Sequence, residues 1–150
     1  MFRKVVHTDE APKAIGPYSQ AVRSGGMVYL SGQLGMDPAT GQLVPGGVGP
    51  QTRRALANLQ IVLEAAGSGL DRVVKTTVFL TDMGKFAEMN AIYGEYFSEQ
   101  PPARSAVQVS ALPTGADVEI ECIAVTHPSG DVLTDTRNGE VILGGTLSCS

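Results

Sequence analysis

The nine residues Asp117 to Val125, DVEIECIAV, fix one strand together with both of its faces. Successive side chains of a strand point to opposite sides. Val118, Ile120, Cys122 and Ala124 therefore share one face, and Glu119 and Glu121 share the other. A chain with such a strand must build a sheet that buries one side and carries neighbouring like charges on the other. Those two carboxylates repel each other, and β-propensity does nothing to favour them. Arg104 opens the preceding β-prone run, just after the double proline Pro101-Pro102. A fork-shaped cation and an oddly placed acid are what a small site for a carboxylated ligand needs. The same residues fit a polar, solvent-facing sheet surface equally well.

The remaining elements follow from periodicity and punctuation. Phe2 to His7 is a short β-prone start, and Ser19 to Ser24 and Met27 to Ser31 flank the hairpin signal Gly25-Gly26. Gly32 to Gly49 reads as a long surface loop, and Pro50 suits the first position of a helix. Thr52, Leu56, Leu59, Leu63 and Ala66 then recur on one helical face until Gly67 and Gly69 stop it. Val73 to Thr81 is a β-branched, buried strand. Asp82 suits the cap of a second helix, whose stripe of Phe86, Met89, Tyr93 and Phe97 or Tyr96 reads as core, with Met83 at its start. Phe86 alone in that stripe suits a pocket wall. Gly94 weakens the helix, and Pro101-Pro102 ends it.

The strands Arg104 to Ser110 and Asp117 to Val125 complete the order, joined by a turn holding Pro113 and Gly115. Pairing them as a hairpin sets Arg104 opposite about Ile123 and Glu119 opposite Gln108, on the order of 13 Å apart. Cooperation between the two side chains then requires a strongly bent strand or a second subunit. The order predicts an α+β fold with about six strands in a mixed sheet and two helices on one face. The other face needs a partner for its apolar members, so oligomerisation through the sheet is expected, with sites at subunit boundaries.

At 150 residues the chain is of single-domain size, read as one domain over 1–128 and a tail over 129–150. The tail is either flexible or a small added hairpin turning at Asn138-Gly139. A net charge of −4 with 17% charged residues argues against a broad phosphate-binding face and makes nucleic acid an unfavoured partner. Cys122 and Cys149 lie outside any metal or CxxC spacing, which is a reducing-compartment profile. The start, MFRKVVHTDEAP, has no apolar signal region and no long apolar run occurs, so a cytoplasmic protein without a membrane partner is expected. His7 and His127 lack ligand spacing, and no metal is expected.

Four segments together resemble one family in order and spacing. They are Gly16-Pro17-Tyr18-Ser19-Gln20-Ala21, Tyr29-Leu30-Ser31-Gly32-Gln33, Val74-Lys75-Thr76-Thr77-Val78-Phe79-Leu80, and Pro102-Ala103-Arg104-Ser105 followed by Val118-Glu119-Ile120-Glu121. From about Phe2 to Thr126 the chain resembles the RidA/YjgF family of reactive-intermediate deaminases. The resemblance implies a chorismate-mutase-like fold and a homotrimer with clefts between subunits. It also implies hydrolysis of 2-imino or enamine acids, such as 2-aminoacrylate, to 2-keto acids and ammonia, without a cofactor.

On that resemblance Arg104 is the carboxylate-binding arginine, Glu119 orients or activates water, and Tyr18 lines the cleft. Ser31, Gly32, Phe86 and Asn90 match substrate-binding positions. Ser31 more naturally satisfies backbone groups than attacks a substrate, because no Ser-His-Asp arrangement accompanies it. Many relatives carry a cysteine two places after the arginine, whereas this chain has Ala106, so a thiol mechanism is closed at that position. RNA binding or cleavage, and a noncatalytic carboxylate-binding or chaperone-like trimer, are the competing readings.

Overall fold

Gly25 and Gly26 take φ values of 59° and 77°, in the left-handed region where side chains are strained. They close the turn between β2 (Ala21–Ser24) and β3 (Met27–Leu34), with Ser24 opposite Met27. These details come from a computed structural model that describes residues 3–127, 133–135 and 140–142. A short first strand, β1 (Lys4–Val6), adds to the outer side of β2. β3 runs to Leu34, so the loop expected over 32–49 shrinks to 35–47.

The first helix, α1 (Val48–Ala65), starts two residues before Pro50, with Gly47 as its N-cap. Pro50 therefore stands third in the helix, still within the first turn, where the missing N–H costs no intrahelical bond. The expected face is buried throughout: Thr52, Leu56, Leu59, Leu63 and Ala66. Gly67 ends the helix at φ 77°. Its N–H donates to Glu64 O at 3.1 Å and that of Ser68 to Leu63 O at 2.9 Å, the paired closure of a Schellman motif.

β4 (Val73–Leu80) follows, then α2 (Phe86–Tyr96), β5 (Ala103–Gln108) and β6 (Val118–Val125). Asp82 caps the short 3₁₀ turn Met83–Lys85 ahead of α2, its carboxylate accepting from Gly84 N at 2.8 Å. Met89, Tyr93 and Phe97 are buried as expected. Met83, at the mouth of the helix, is 38% exposed and stands off the apolar stripe.

The six strands form one mixed sheet in the order β1-β2-β3-β6-β4-β5, antiparallel except for the β4–β5 pair. The expected β5–β6 hairpin is therefore wrong. α2 returns the chain to lie parallel beside β4, which puts β5 at the sheet edge with Thr76 opposite Arg104. The segment after β5, including the turn Pro113–Gly115, then carries β6 back across β4 into the gap beside β3. Two β-strands set parallel by helices leave a slot that an antiparallel strand fills on both edges, a stronger requirement than a local hairpin.

Both helices lie on one side of the sheet. Leu56, Leu59, Leu63 and Met89 pack there with Val28, Val78, Val118, Ile120 and Cys122, all buried. The other side keeps large apolar groups in solvent, with Val5 at 51%, Tyr29 at 48% and Val107 at 43% exposure. In the chain beyond residue 127, β7 (Leu133–Asp135) pairs antiparallel with β8 (Glu140–Ile142), forming a separate two-stranded sheet. Cys149 lies outside the described residues. No helix among the described residues is long and apolar enough to cross a membrane.

Candidate functional site

Phe86, Asn90 and Tyr93 occupy positions i, i+4 and i+7 of α2 and so line one stripe of the helix. That stripe faces β5, and Arg104 reaches over it. The guanidinium carbon stands 4.7 Å from the Tyr93 ring centre and 5.4 Å from that of Phe86. Nη1 donates to Asn90 Oδ1 at 2.7 Å. Among the described residues Arg104 makes no other hydrogen bond, so the rest of its donor fork is free to grip a carboxylate.

A second group gathers on the opposite face. Between Leu30 and Gln33 the β3–β6 register shifts, so Ser31 and Gly32 stand as a bulge against Glu121. Ser31 Oγ donates to Ser19 O at 2.6 Å, and Ser31 N donates to Gln20 O at 3.0 Å. The serine thus binds backbone as expected and ties the bulge to the segment before β2. Gln20, 2% exposed, holds that segment in shape. It accepts from Thr8 N at 2.7 Å and donates to the carbonyls of Thr8 and Pro12 at 3.0 and 2.9 Å. The outcome is Tyr18 beside an open depression of about 620 Å³, lined also by Arg3, Val22, Tyr29, Ser31 and Glu121. The Tyr18 hydroxyl accepts from Ile15 N at 3.3 Å.

Glu119 packs against the same bulge. A β-carbon built on Gly32 would lie 2.7 Å from its carboxyl carbon, so any larger residue there would force the Glu119 side chain to shift. Burial pushes the Glu119 carboxyl above the ordinary glutamate range, and the neighbouring charge of Glu121 pushes it further. Glu119 is thus a carboxylate poised to exchange protons more easily than a solvated one. Cys122 is the opposite case. Burial, then Glu121, pushes its thiol up to about 12, leaving it inert as a nucleophile.

The structure therefore brings Arg104, Asn90 and Phe86 together, and separately the bulge pair Ser31 and Gly32, with Tyr18 near Ser31 and Glu119 against Gly32, while the acid that lines the Tyr18 depression is Glu121. It does not join the two groups within one chain. Arg104 is level with Thr76 and Glu119 with Phe79, which are three residues and two strand spacings apart. That amounts to about 14 Å between backbone positions. They also face opposite ways, because Thr76 and Cys122 in the Arg104 row are buried under the helices while Glu119 points to the open side. The sequence reading left Tyr93 as core, although its spacing from Asn90 and Phe86 already placed it on the same stripe. Gln20 carried no signal apart from its place in the segment beginning at Gly16. No group of His, Cys, Asp or Glu suited to a metal ion occurs among the described residues.

The chain is an α+β domain with a six-stranded mixed sheet covered by two helices on one side, and with Arg104 held by the α2 stripe at the sheet edge. The chain belongs to the RidA/YjgF family: the family model described as Endoribonuclease L-PSP matches residues 8–126. It is 56% identical over 128 residues to the 2-iminobutanoate/2-iminopropanoate deaminase of Mus musculus, covering 85% of this chain and 95% of that one. Among solved structures, RidA from an Antarctic Psychrobacter matches with a TM-score of 0.79 at 48% identity, over 81% of this chain and 98% of that one. TdcF of E. coli, solved with bound serine, matches with a TM-score of 0.79 at 42% identity, over 83% and 99%.

Proposed function

We propose that this protein hydrolyses 2-imino and enamine acids to 2-keto acids and ammonia. The observation that carries the reading is the Arg104 guanidinium, held by the α2 stripe with most of its donor fork unused. The relatives named as deaminases and the neighbour that binds serine, an amino acid, support a ligand with a carboxylate beside a nitrogen-bearing carbon.

Arg104 grips the substrate carboxylate with two parallel charge-assisted hydrogen bonds. Glu119 takes a proton from water as its oxygen bonds to C2 of the imine. Glu119 returns that proton to the imine nitrogen, giving the carbinolamine, whose hydroxyl proton then passes through Glu119 to the amine as the C–N bond breaks and the carbonyl forms. Water enters, ammonia and a 2-keto acid leave, and the carboxylate is restored. A raised pKa suits Glu119 to both transfers. Imines hydrolyse in water unaided, so positioning supplies much of the acceleration needed. The scheme uses no thiol, in keeping with Ala106, and no cofactor.

The opposite-facing halves support a homotrimer in which the β5 edge of one chain meets the open face of the next. Arg104, Asn90 and Phe86 then serve a cleft completed by the neighbour's counterparts of Tyr18, Ser31, Gly32 and Glu119. The exposed Tyr29 and Val107 suit such contact, and the buried free thiol of Cys122 suits a reducing cytoplasm. RNA cleavage, suggested by the family description, meets a glutamate-lined face and a net charge of −4, which repel phosphates.

The test is a coupled assay in which fresh protein meets 2-aminoacrylate or 2-iminobutanoate as it is generated. Arg104→Ala and Glu119→Gln should each lose nearly all acceleration. Rates equal to wild type in both variants would reject the mechanism. Carboxylate binding that survives Glu119→Gln, with no hydrolysis by wild type, would favour a noncatalytic binder.

A further inference from the structure

Arg104 and Thr76 are backbone neighbours on adjacent parallel strands and point to the same side of the sheet. The Thr76 hydroxyl, fully buried, hydrogen-bonds the Tyr93 hydroxyl at 2.7 Å. The Tyr93 ring, 5% exposed, lies under the guanidinium with its centre 4.7 Å from Cζ. A closed circuit results, from Arg104 backbone to Thr76, from Thr76 to Tyr93, and from the Tyr93 ring back to the charged end of Arg104. Phe97 backs the ring at 4.8 Å between centres. Every member but the guanidinium is buried and fixed.

We infer that Tyr93 is the positioning residue that aims the Arg104 guanidinium, with Thr76 setting the height of its ring. The inference rests on the reading of Arg104 as the carboxylate anchor. A long arginine side chain has several rotamers, and a bidentate grip needs its planar fork in one of them. Asn90 fixes a single nitrogen, which alone leaves the plane free to swing about that bond. A ring face beneath the fork removes that freedom and attracts the charge. Phe86, at 5.4 Å, limits the same motion from further along the helix. Asn90 sets where one nitrogen sits; Tyr93 sets the tilt of the plane.

The experiment measures binding of 2-oxobutanoate, the keto acid product of the proposed reaction, to the assembled protein by calorimetry. Wild type, Tyr93→Met, Arg104→Lys and the double variant are compared. Methionine fills the buried space without a ring face. Tyr93→Met is expected to weaken binding about tenfold, and Arg104→Lys by at least as much. In the Arg104→Lys background, Tyr93→Met should add less than about twofold, because the group it aims is already gone. Equal losses in both backgrounds, or no loss from Tyr93→Met beside a clear loss from Arg104→Lys, would overturn the inference alone. Wild-type affinity in Arg104→Lys would overturn the anchor reading itself. Should Tyr93→Met fail to assemble, the Arg104 Nε–H resonance decides. Ring currents should move it away from the free-arginine position in both wild type and Tyr93→Phe, and a resonance at that position would reject the placement.

Discussion

The Glu119 side chain rests on the bare α-carbon of Gly32. A β-carbon at position 32 would stand 2.7 Å from the Glu119 carboxyl carbon and 2.9 Å from its Cγ. Both distances are shorter than atoms tolerate, and Cγ is not the mobile tip of the side chain. The bulge in β3 places Gly32 there, since Ser31 and Gly32 share one partner position on β6. An irregularity of one strand thus decides where the acid of the next strand points.

Replacing Gly32 with alanine should therefore displace Glu119 from its position over the strand. The expected cost is about 1–3 kcal/mol of stability from overpacking. The larger effect falls on catalysis, since a carboxylate moved by an ångström loses its aim at water, and kcat/KM should fall about a hundredfold. Melting curves and steady-state rates on the same preparation check both. Full activity in a stably folded Gly32→Ala protein would show that the placement of Glu119 is irrelevant.

The proposed sharing of clefts between copies makes a sharp prediction for mixed assemblies. Arg104→Ala and Glu119→Gln proteins should each be inactive alone. If they are unfolded together and refolded at equal amounts, a cleft with both intact residues arises wherever the right pair of copies meets. Random assembly yields about a quarter of wild-type activity, one half multiplied by one half. A site contained within one chain would regain nothing.

The pH dependence follows from the surroundings of Glu119. Burial and the charge of Glu121 both oppose ionisation, so the base form appears at higher pH than the ordinary glutamate value of 4.5. The rate kcat/KM should therefore fall with acidification at a pH above 4.5. Glu121→Gln removes the smaller of the two causes. The limb should move down, without reaching 4.5, because burial remains. An upward shift in Glu121→Gln would contradict this account.

Gly94 offers a stabilising change away from the chemistry. It sits inside α2, exposed, with nothing within 4 Å of an added β-carbon and no positive φ. Gly94→Ala should gain about 0.5–1 kcal/mol, raising Tm by a few degrees with unchanged kcat/KM. Differential scanning calorimetry settles it.

Much of this was legible in local patterns. The alternation from Val118 to Val125 set both faces of β6, and the spacing of Leu56, Leu59 and Leu63 set the buried face of α1. Gly25-Gly26 and Gly67 marked turns whose positive φ values only glycine adopts cheaply. The failure came where pairing is non-local. Nothing in ARSAVQ says that its partner is β4 and not the strand that follows it, because that choice is made by the α2 crossover and the slot beside β3. The bulge at Ser31 and Gly32 was equally silent, since one extra residue leaves no compositional trace. Tyr93 is core, as its place on the stripe predicts, and its contact with Arg104 is what the pattern does not show. An aromatic on a buried helical stripe satisfies packing so well that its second use, beneath a cation, cannot be told from sequence.

In the proposed homotrimer, a chain whose guanidinium and carboxylate look in opposite directions would take part in two neighbouring clefts at once. Within the proposed ring of three, a single copy damaged at both positions would silence two reaction centres and leave one. The harm done by a defective gene product would then outrun its share of the population, and the cause would be nothing more than the side of the sheet on which each residue stands.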